Sequence, residues 1–321
     1  MISISILALK NCVLASVADS RYVFSMVNEF LKQSGKEPMF DVQLVGFTRE
    51  IDIHNGLFSI HPDKVIADVK HTDLVIIPAL TGDMLSATNV NLPYVNWIIK
   101  QYKNGAEIAS LCAGAFLLAF TGLLKNKQCT THWSYANEFR YIYPSVTLVD
   151  EKVITDQNGL YSSGGSNAYW NLLLHLVEKY TGREIAIRTA KYFVIDLDRD
   201  IQSPFIIFHG LKDHNDEAIL GAQEFIEKNF SEKLIVDQIA TRFNISRRTF
   251  ERRFKKATRN SVVEYIQRVK IEATKKQLEI GRKSVNEIMH AVGYTDIQTF
   301  RDVFKRITGM TPVDYRKKYN R

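Results

Sequence analysis

The feature that most constrains the fold of this chain is an internal repeat in its last third. The pattern Phe-x3-Phe-x3-Thr-x6-Tyr occupies residues 250–265 and returns fifty residues later at residues 300–315. Upstream, residues 239–244 match residues 288–293 at an offset of forty-nine. Aromatic residues four apart lie on one face of a helix, so each copy predicts a short helix, a tight turn and a longer helix. The repeat therefore predicts two helix-turn-helix units.

The longer helix of each unit has a polar face that suits the major groove of DNA. Ser246 and Asp296 are placed to cap these helices, and the paired phenylalanines face inward. One charged amphipathic helix is usually only a solvated surface, but two copies, each with its own turn and cap, favour DNA binding. The candidate DNA-binding residues are Arg247, Arg248, Glu251, Arg252 and Lys255 in the first unit and Gln298, Thr299, Arg301, Asp302 and Lys305 in the second.

The distribution of charge supports nucleic acid as the partner. The net charge is +7, and residues 214–321 hold 23 basic and 14 acidic side chains, which leaves residues 1–213 at −2. All of the excess positive charge therefore lies in the segment that contains the repeat. A basic module attached to a near-neutral one is typical of a protein whose carboxyl-terminal part binds a polyanion.

The first 197 residues alternate between short β-rich runs and amphipathic stretches. Strands are predicted over 2–9, 41–47, 74–79 and 107–112, a hairpin within 146–163, and helices over 22–33, 92–104, 113–124 and 166–180. This alternation predicts an α/β domain in which a mainly parallel sheet is covered by helices on both faces. Residues 198–214 lack periodicity, which predicts a linker between a domain over 1–197 and an all-α domain over 215–321.

The composition argues against several other classes of protein. The longest apolar run, residues 111–120, has about half of the roughly 20 residues that a membrane span needs. The segment Met1–Leu9 has no preceding basic stretch and no cleavage site, so it is interpreted as a strand rather than an export signal. The three cysteines form no CxxC pair and no zinc-like cluster. We therefore expect a cytoplasmic protein without a metal, a cofactor or a membrane partner.

A candidate chemical site lies where a predicted strand, a cysteine and a helix follow one another, in Ser110-Leu-Cys112-Ala-Gly114. This is the context of a nucleophile elbow, in which a thiol lies on a sharp turn near a helix N-terminus that lowers its pKa. His132 is a candidate base. Taken alone, such a cysteine is more often a small core residue, and a lone histidine is more often structural.

Five motifs lie in the chain from residue 217 onward: Leu234-x4-Ile239-Ala240, Ser246-Arg-Arg-Thr-Phe-x-Arg-Arg-Phe254, Tyr265-x2-Arg268-x4-Ala273, Ile288-x4-Gly293-Tyr294 and Phe300-x3-Phe304-Lys-x2-Thr308-Gly-Met-Thr-Pro312-x2-Tyr-Arg316. With them, this segment resembles the DNA-binding domain of AraC/XylS-type transcription regulators. The resemblance implies that base-reading positions are Arg248, Glu251 and Arg252 in the first recognition helix and Gln298, Thr299 and Asp302 in the second.

The chain departs from this family pattern in both units. Arg259 and Val262 stand where glycine and proline are expected after the first unit, so that turn lacks its preferred left-handed residue. Asp302 occupies a position where a basic residue is common in the family, so the second half-site is expected to be read loosely.

Three further motifs lie in the first domain: Ser110-x-Cys112-x-Gly114-x2-Leu-Leu-Ala119-x2-Gly122-Leu-Leu, Thr130-Thr-His-Trp133 and Ser162-Ser-Gly-Gly165. With them, residues 2–195 resemble the PfpI-like branch of the class I glutamine amidotransferase superfamily, which implies a flavodoxin-like sandwich. Its combination with an AraC-type tail is the architecture of the GlxA-like group of regulators. Cys112 and His132 match the family's nucleophile and histidine positions.

Other catalytic parts of that family do not match. Ser16 stands where the enzymes have a carboxylate, although Asp19 is nearby. Ala79 and Leu80 replace two glycines, which would disturb the backbone donors of an oxyanion hole. The resemblance therefore implies a binding module rather than an enzyme.

Together these observations predict a homodimeric transcription regulator that binds double-stranded DNA, with RNA polymerase as a further candidate partner. An unknown small-molecule effector is expected around Ser16, Cys112 and His132, because sheets of this type bind ligands beyond the carboxyl ends of their strands. Two alternatives remain: a cysteine-dependent amidase or hydrolase with a DNA-binding tail, and a thiol redox sensor in which Cys112 is oxidised.

Overall fold

The computed structural model describes residues 1–53, 55–197 and 199–320. The chain divides into two compact units, Met1–Gln202 and Ser203–Arg321. This division lies inside the segment 198–214 that the sequence predicts as a linker.

The first unit contains the main sheet. Its described strands are β1 Ile2–Ala8, β2 Phe40–Gly46, β3 Ile51–Ile53, β4 Phe58–Ile60, β5 Lys64–Val65, β6 Leu74–Ile77, β7 Glu107–Ser110, β8 Gln128–Cys129, β9 Thr147–Leu148, β10 Ile154–Gln157 and β11 Leu160–Ser163. Its described helices are α1 Leu14–Gln33, α2 Met84–Asn89, α3 Val95–Lys103, α4 Ala115–Phe120, α5 Ala136–Ile142, α6 Tyr169–Thr181 and α7 Arg183–Phe193.

The main sheet has seven strands in the order β10-β11-β7-β6-β1-β2-β5. All neighbouring strands are parallel except the β10–β11 hairpin. In the register of the centre, Ile4 of β1 lies between Val42 of β2 and Leu74 of β6. Every side chain of β6 is buried, and so is every side chain of β1 from Ile4 onward. Because successive side chains of a strand point to opposite faces, both faces of the sheet are covered, which confirms the predicted α/β class.

The structure refines several predicted elements. The four parallel strands and the hairpin are present, but α1 begins at Leu14 rather than at Tyr22. The β3–β4 hairpin and the β8–β9 pair escaped prediction. Strands of two or three residues are too short to show an alternating pattern in the sequence.

The second unit is helical. Its described helices are α8 Glu217–Lys228, α9 Val236–Arg242, α10 Arg247–Thr258, α11 Val262–Ile280, α12 Val285–Ala291, α13 Ile297–Thr308 and α14 Pro312–Tyr319. The helix pairs α9–α10 and α12–α13 are the two predicted helix-turn-helix units. Helix α11 serves both: Tyr265 packs in the first core with Phe250 and Phe254, and Leu278 packs in the second core with Phe304. The predicted all-α domain with two such units is confirmed.

The beginning of the second unit packs against its helices. The Phe208 ring lies 5.2 Å from the Tyr265 ring, measured between centroids. The buried ammonium of Lys275 donates to the carbonyl oxygen of Ile206. The predicted linker residues from Ser203 onward are therefore part of the second unit's structure.

Candidate DNA interface and candidate effector site

The candidate DNA interface lies on α10 and α13, opposite two pairs of buried aromatic rings. Phe250 and Phe254 of α10 are fully buried, as are Phe300 and Phe304 of α13. All ten candidate DNA-binding residues predicted from the sequence are exposed. Each recognition helix therefore presents a polar face that is free to meet phosphates and base edges.

The helix starts agree with the predicted caps, but the two caps differ in strength. A carboxylate oxygen of Asp296 accepts a hydrogen bond from the backbone N–H of Thr299 at 2.7 Å. Ser246 precedes α10 in extended backbone, yet its hydroxyl contacts the Thr249 hydroxyl at 3.1 Å and accepts no capping bond from the backbone. Only the second recognition helix therefore has a side-chain cap.

The exposed face of α10 has both paired and unpaired cations. The Arg247 guanidinium lies 2.9 Å from the carboxylate of Asp237 and 3.1 Å from that of Glu251. The side chains of Arg248 and Arg252 form no hydrogen bond or ion pair with any residue that the structure describes. These two guanidiniums are one helical turn apart and free to bind DNA.

The exposed face of α13 is organised differently. The side-chain amide of Gln298 donates to a carboxylate oxygen of Asp302 at 2.9 Å. On this face the cations Arg301 and Lys305 have no ion-pair partner among the described residues. Gln298 and Asp302, which align with Arg248 and Arg252, are hydrogen-bonded to each other.

The departure from the family pattern at Arg259 leaves the turn intact. Arg259 has a φ of +59°, the left-handed conformation, and its N–H donates to the Lys255 carbonyl at 3.0 Å. Gly309 has a φ of +73° at the equivalent position. The turn therefore forms with a side chain for which left-handed backbone is unfavourable.

The sharp turn predicted at Cys112 is present between β7 and α4. Cys112 has a φ of +51°, its N–H donates to the Ser163 hydroxyl at 3.0 Å, and its carbonyl accepts from the Thr131 hydroxyl at 3.1 Å. A Cβ at Gly114 would lie 2.5 Å from the Pro78 carbonyl oxygen, so the backbone there needs glycine. The strained backbone is thus held by contacts on several sides.

The electrostatics of Cys112 differ from the prediction. Only 5% of the residue is exposed, and burial raises the pKa of its thiol to about 12, although the N–H of Ala113 acts in the opposite direction. The expectation of a lowered pKa is wrong, because desolvation outweighs the helix N-terminus. Burial likewise raises the pKa of Cys129 to about 12. Cys112 is therefore a neutral thiol at physiological pH.

His132 follows the elbow in the chain, but its imidazole is hydrogen-bonded to Ser134. Its Nδ1 lies 2.7 Å from the Ser134 hydroxyl and accepts from the Ser134 N–H at 3.1 Å. Burial lowers the pKa of His132. Among the described residues, no hydrogen bond joins this imidazole to the Cys112 sulfur. The predicted nucleophile and base are not assembled as a pair.

Ser16 has a structural role at the start of α1. It is fully buried, and its hydroxyl donates to the Val13 carbonyl at 2.7 Å and accepts from the Ala79 N–H at 3.0 Å. This corrects the expectation that Ser16 contacts a ligand directly, since its hydroxyl is already used by the backbone. The Ala79 N–H, which would belong to an oxyanion hole, is occupied by the same bond.

Asp19, the carboxylate close to Ser16 in the sequence, is bound to a tyrosine. The Tyr169 hydroxyl donates to the Asp19 carboxylate at 2.6 Å. Burial and this hydrogen bond, together with the charge of Asp19, raise the pKa of Tyr169. Burial likewise raises the pKa of Tyr135. No pattern in the sequence singles out these two tyrosines.

Gln202 joins the loops beside the elbow and was also missed. It is 3% exposed, and its carboxamide accepts from the Gly165 N–H at 2.7 Å and donates to the Thr131 carbonyl at 3.0 Å. It also donates to the Lys152 carbonyl at 3.2 Å. Because Gln202 lies in a stretch without periodicity, no pattern in the sequence indicates this role.

The described chain shows other features that bear on ligands. A cavity of about 630 Å³ lies along α1 and the segment after β4, and Arg21 and His61 are among its lining residues. No group of His, Cys, Asp and Glu side chains within the described residues could hold a metal ion. None of the described helices has the length and apolarity to cross a bilayer.

Comparison with known families and proteins identifies both units. The DJ-1/PfpI family matches residues 24–179, and a helix-turn-helix domain family matches residues 239–318. The HTH-type transcriptional regulator GbdR of Pseudomonas aeruginosa is 26% identical over 316 residues, which are 98% of this chain and 84% of the relative. The HTH-type transcriptional regulator GlxA of Rhizobium meliloti is 23% identical over 218 residues, 67% of this chain and 66% of the relative.

Solved structures support the fold. An AraC family transcriptional regulator from Pseudomonas putida is similar with a TM-score of 0.50 and 17% identity, covering 60% of this chain and 100% of that one. A ThiJ/PfpI family protein from Pseudomonas syringae is similar with a TM-score of 0.51 and 16% identity, covering 61% of this chain and 76% of that one. The chain therefore combines a DJ-1/PfpI domain with a helix-turn-helix domain, the architecture of the AraC-type transcription regulators to which it is similar.

Proposed function

We propose that this transcription regulator binds specific sequences of double-stranded DNA through α10 and α13. The observation that carries the proposal is the exposure of all ten candidate residues on the faces opposite the buried phenylalanine pairs. Two helix-turn-helix units in one chain fit successive segments of the major groove, about 34 Å apart along the duplex.

The side chains divide into two roles. Arginine forks onto the O6 and N7 acceptors of guanine, so the unpaired Arg248 and Arg252 suit base reading. Lys255, Arg301 and Lys305 are exposed cations that suit phosphate contacts, which position the protein without reading sequence.

The test compares base readers with a phosphate contact. Arg248→Ala and Arg252→Ala should each cost about 1–3 kcal/mol on a duplex selected by the native chain, with little change on an unrelated duplex. Lys255→Ala should weaken binding to both duplexes and lower the salt slope by about one. Lys125→Ala removes an exposed lysine of the first unit and serves as the control. Equal losses on both duplexes in the arginine variants would contradict base reading.

In the same proposal, the α/β unit Met1–Gln202 senses a small molecule and holds two copies of the chain together. The loops around Cys112, His132 and Gln202 follow β7, β8 and β11 or bond to the loops that do, and parallel sheets bind ligands beyond the carboxyl ends of their strands. Ser16 would support this site through the Ala79 backbone. With DNA as its target, the regulator would act in the cytoplasm, where RNA polymerase is a further candidate partner.

We further propose that the elbow binds rather than catalyses. The neutral Cys112 thiol, the missing bond to His132 and the occupied Ala79 N–H support this view, because hydrolysis needs a nucleophile, a base and free oxyanion donors together. The same burial argues against a thiol redox sensor, since oxidation needs an accessible thiolate.

The elbow is tested by its chemistry. At pH 7 the folded chain should react slowly with iodoacetamide and dilute peroxide, and Cys112→Ser should retain operator binding. No glutamine, amide or ester substrate should be hydrolysed above background. Turnover of several per second that is lost in both Cys112→Ser and His132→Ala would make the protein an enzyme. Peroxide-dependent operator binding that is lost in Cys112→Ser would support the redox sensor instead.

A further inference from the structure

The two recognition helices differ in chemistry at positions that the repeat makes equivalent. The offset of fifty residues aligns Arg248 with Gln298 and Arg252 with Asp302. All four side chains are exposed, and within each helix the two positions are one turn apart. An arginine pair in the first unit thus corresponds to an amide and a carboxylate in the second.

The first pair offers hydrogen-bond donors alone. Arg248 and Arg252 have no partner among the described residues, whereas their neighbour Arg247 is held by Asp237 and Glu251. A guanidinium has five N–H donors and no acceptor, and guanine is the base that shows two acceptors, O6 and N7, at the major-groove edge. The free pair on α10 therefore matches guanine.

The second pair offers mainly acceptors. One amide hydrogen of Gln298 is bound to Asp302, which fixes the two side chains side by side. This leaves the Gln298 oxygen and the second Asp302 oxygen as acceptors, together with the remaining Gln298 N–H. Adenine shows an N6 amine beside the N7 acceptor, which match the free Gln298 oxygen and N–H. Guanine shows no amine at this edge, so the carboxylate of Asp302 would face its O6 with like polarity.

We propose that the two helix-turn-helix units recognise chemically different half-sites: α10 binds a segment with guanine, and α13 binds a segment with adenine, whose N6 and N7 match the free oxygen and N–H of Gln298. The inference rests on the proposed function, since it names the sequence class that the DNA-binding face selects. It also gives Asp302 a definite role, in place of the loose reading expected from its departure from the family pattern.

The test is selection from a pool of random duplexes by the full chain, followed by sequencing. The native chain should retain a bipartite site whose segments are centred about ten base pairs apart. One segment should be enriched in G·C pairs, and the other in A·T pairs. The double variant Gln298→Arg/Asp302→Arg should change the second segment to guanine and leave the first unchanged.

Matched variants separate the two units. Arg248→Gln/Arg252→Asp should change the first segment only, and each double variant should bind the native site at least about tenfold more weakly. Lys305→Ala should weaken retention of all sequences without changing either segment. Because the substituted residues are exposed, circular dichroism of each variant should match that of the native chain.

The outcomes distinguish the inference from the function on which it rests. If the native chain retains no duplex of any sequence at low salt, the proposed DNA binding fails. If it retains a specific site whose second segment is already rich in G·C pairs, or is unchanged by Gln298→Arg/Asp302→Arg, DNA binding stands and the half-site assignment is overturned.

Discussion

The two helix-turn-helix units follow nearly the same backbone path with different residues at the strained positions. In the first turn Asn244 has a φ of +54° and its N–H donates to Thr241 at 3.0 Å. In the second, Gly293 has a φ of +75° and donates to His290 at 3.0 Å. Each recognition helix is also followed by a residue in left-handed backbone, Arg259 after α10 and Gly309 after α13.

The contacts that fix this path are repeated as well. The Thr258 hydroxyl donates to the Phe254 carbonyl at 2.8 Å, and the Thr308 hydroxyl donates to the Phe304 carbonyl at the same distance. The backbone is thus set by shared buried rings and turn bonds, while the residue at a left-handed position can vary at a cost. The first helix-turn-helix unit has Asn244 and Arg259 at its two left-handed positions, whereas the second has glycine at both. The exposed face of the first recognition helix is also the more basic of the two.

The largest expected effect comes from removing residues 203–215, which pack against the first helix-turn-helix unit and α11. A fragment Asp216–Arg321 loses the Phe208 ring from Tyr265, the Leu211 carbonyl that accepts from Gln223, and a partner of the buried Lys275 ammonium. Compared with Ser203–Arg321, we expect a loss of about 4 kcal/mol in the free energy of unfolding, because buried polar groups are left unpaired. Urea denaturation of the two fragments measures it.

Hydrogen exchange locates this loss within the fragment. Amide protection should fall more in α10 than in α13, since Tyr265 belongs to the same core as Phe250 and Phe254 of α10. Equal stability of the two fragments would show that residues 203–215 are only a connection.

The second expected effect concerns the turn of the second unit. A Cβ at Gly293 would lie 2.2 Å from the Ser231 carbonyl oxygen and 2.8 Å from the Lys270 ammonium. Gly293→Ala should therefore cost about 3 kcal/mol, from left-handed strain and from overpacking. Asn244→Ala, at an exposed position, should cost about 1 kcal/mol. Equal costs in thermal unfolding of Ser203–Arg321 would contradict the view that packing separates the two turns.

The third prediction exchanges the residues that end the recognition helices. Arg259→Gly should stabilise Ser203–Arg321 by about 1 kcal/mol, because glycine adopts left-handed backbone without the clash of a Cβ. Gly309→Arg should destabilise it by a similar amount. Urea midpoints of Ser203–Arg321 compare the two variants. Destabilisation by Arg259→Gly would show that the arginine side chain has a structural role that outweighs its strain.

The sequence predicted the repeat and the parallel strands because both are carried by spacing. Phenylalanines four apart and alternating apolar runs report which face is buried, and burial decides these elements. The sequence-based prediction was wrong at Cys112, where the motif indicated a lowered pKa but burial of the thiol raises it. Whether desolvation or a helix N-terminus dominates depends on atoms brought from distant segments. Tyr169 and Gln202 were missed for the same reason, since each reaches its partners across the fold.

The smallest expected effect separates the two helix caps by pH. Hydrogen bonds from the side chain and the N–H of Thr299 hold the pKa of Asp296 below its usual value. A carboxyl group with a lowered native pKa stabilises the fold above its unfolded pKa, and this contribution is lost as the pH falls through the native pKa. The cap on α13 should therefore weaken below about pH 4, whereas Ser246 before α10 does not titrate.

The reciprocal variants Asp296→Ser and Ser246→Asp measure this difference in Ser203–Arg321. Asp296→Ser should lower the thermal midpoint at pH 7 more than at pH 3, since the native cap is already weakened by protonation at the lower pH. Ser246→Asp should raise the midpoint at pH 7 but not at pH 3, because the carboxylate can accept the backbone bond that the serine hydroxyl does not. A Ser246→Asp midpoint that stays at the native value at both pH values would show that the start of α10 cannot use a cap. The difference between the two units would then lie in the backbone before α10 rather than in the capping residue.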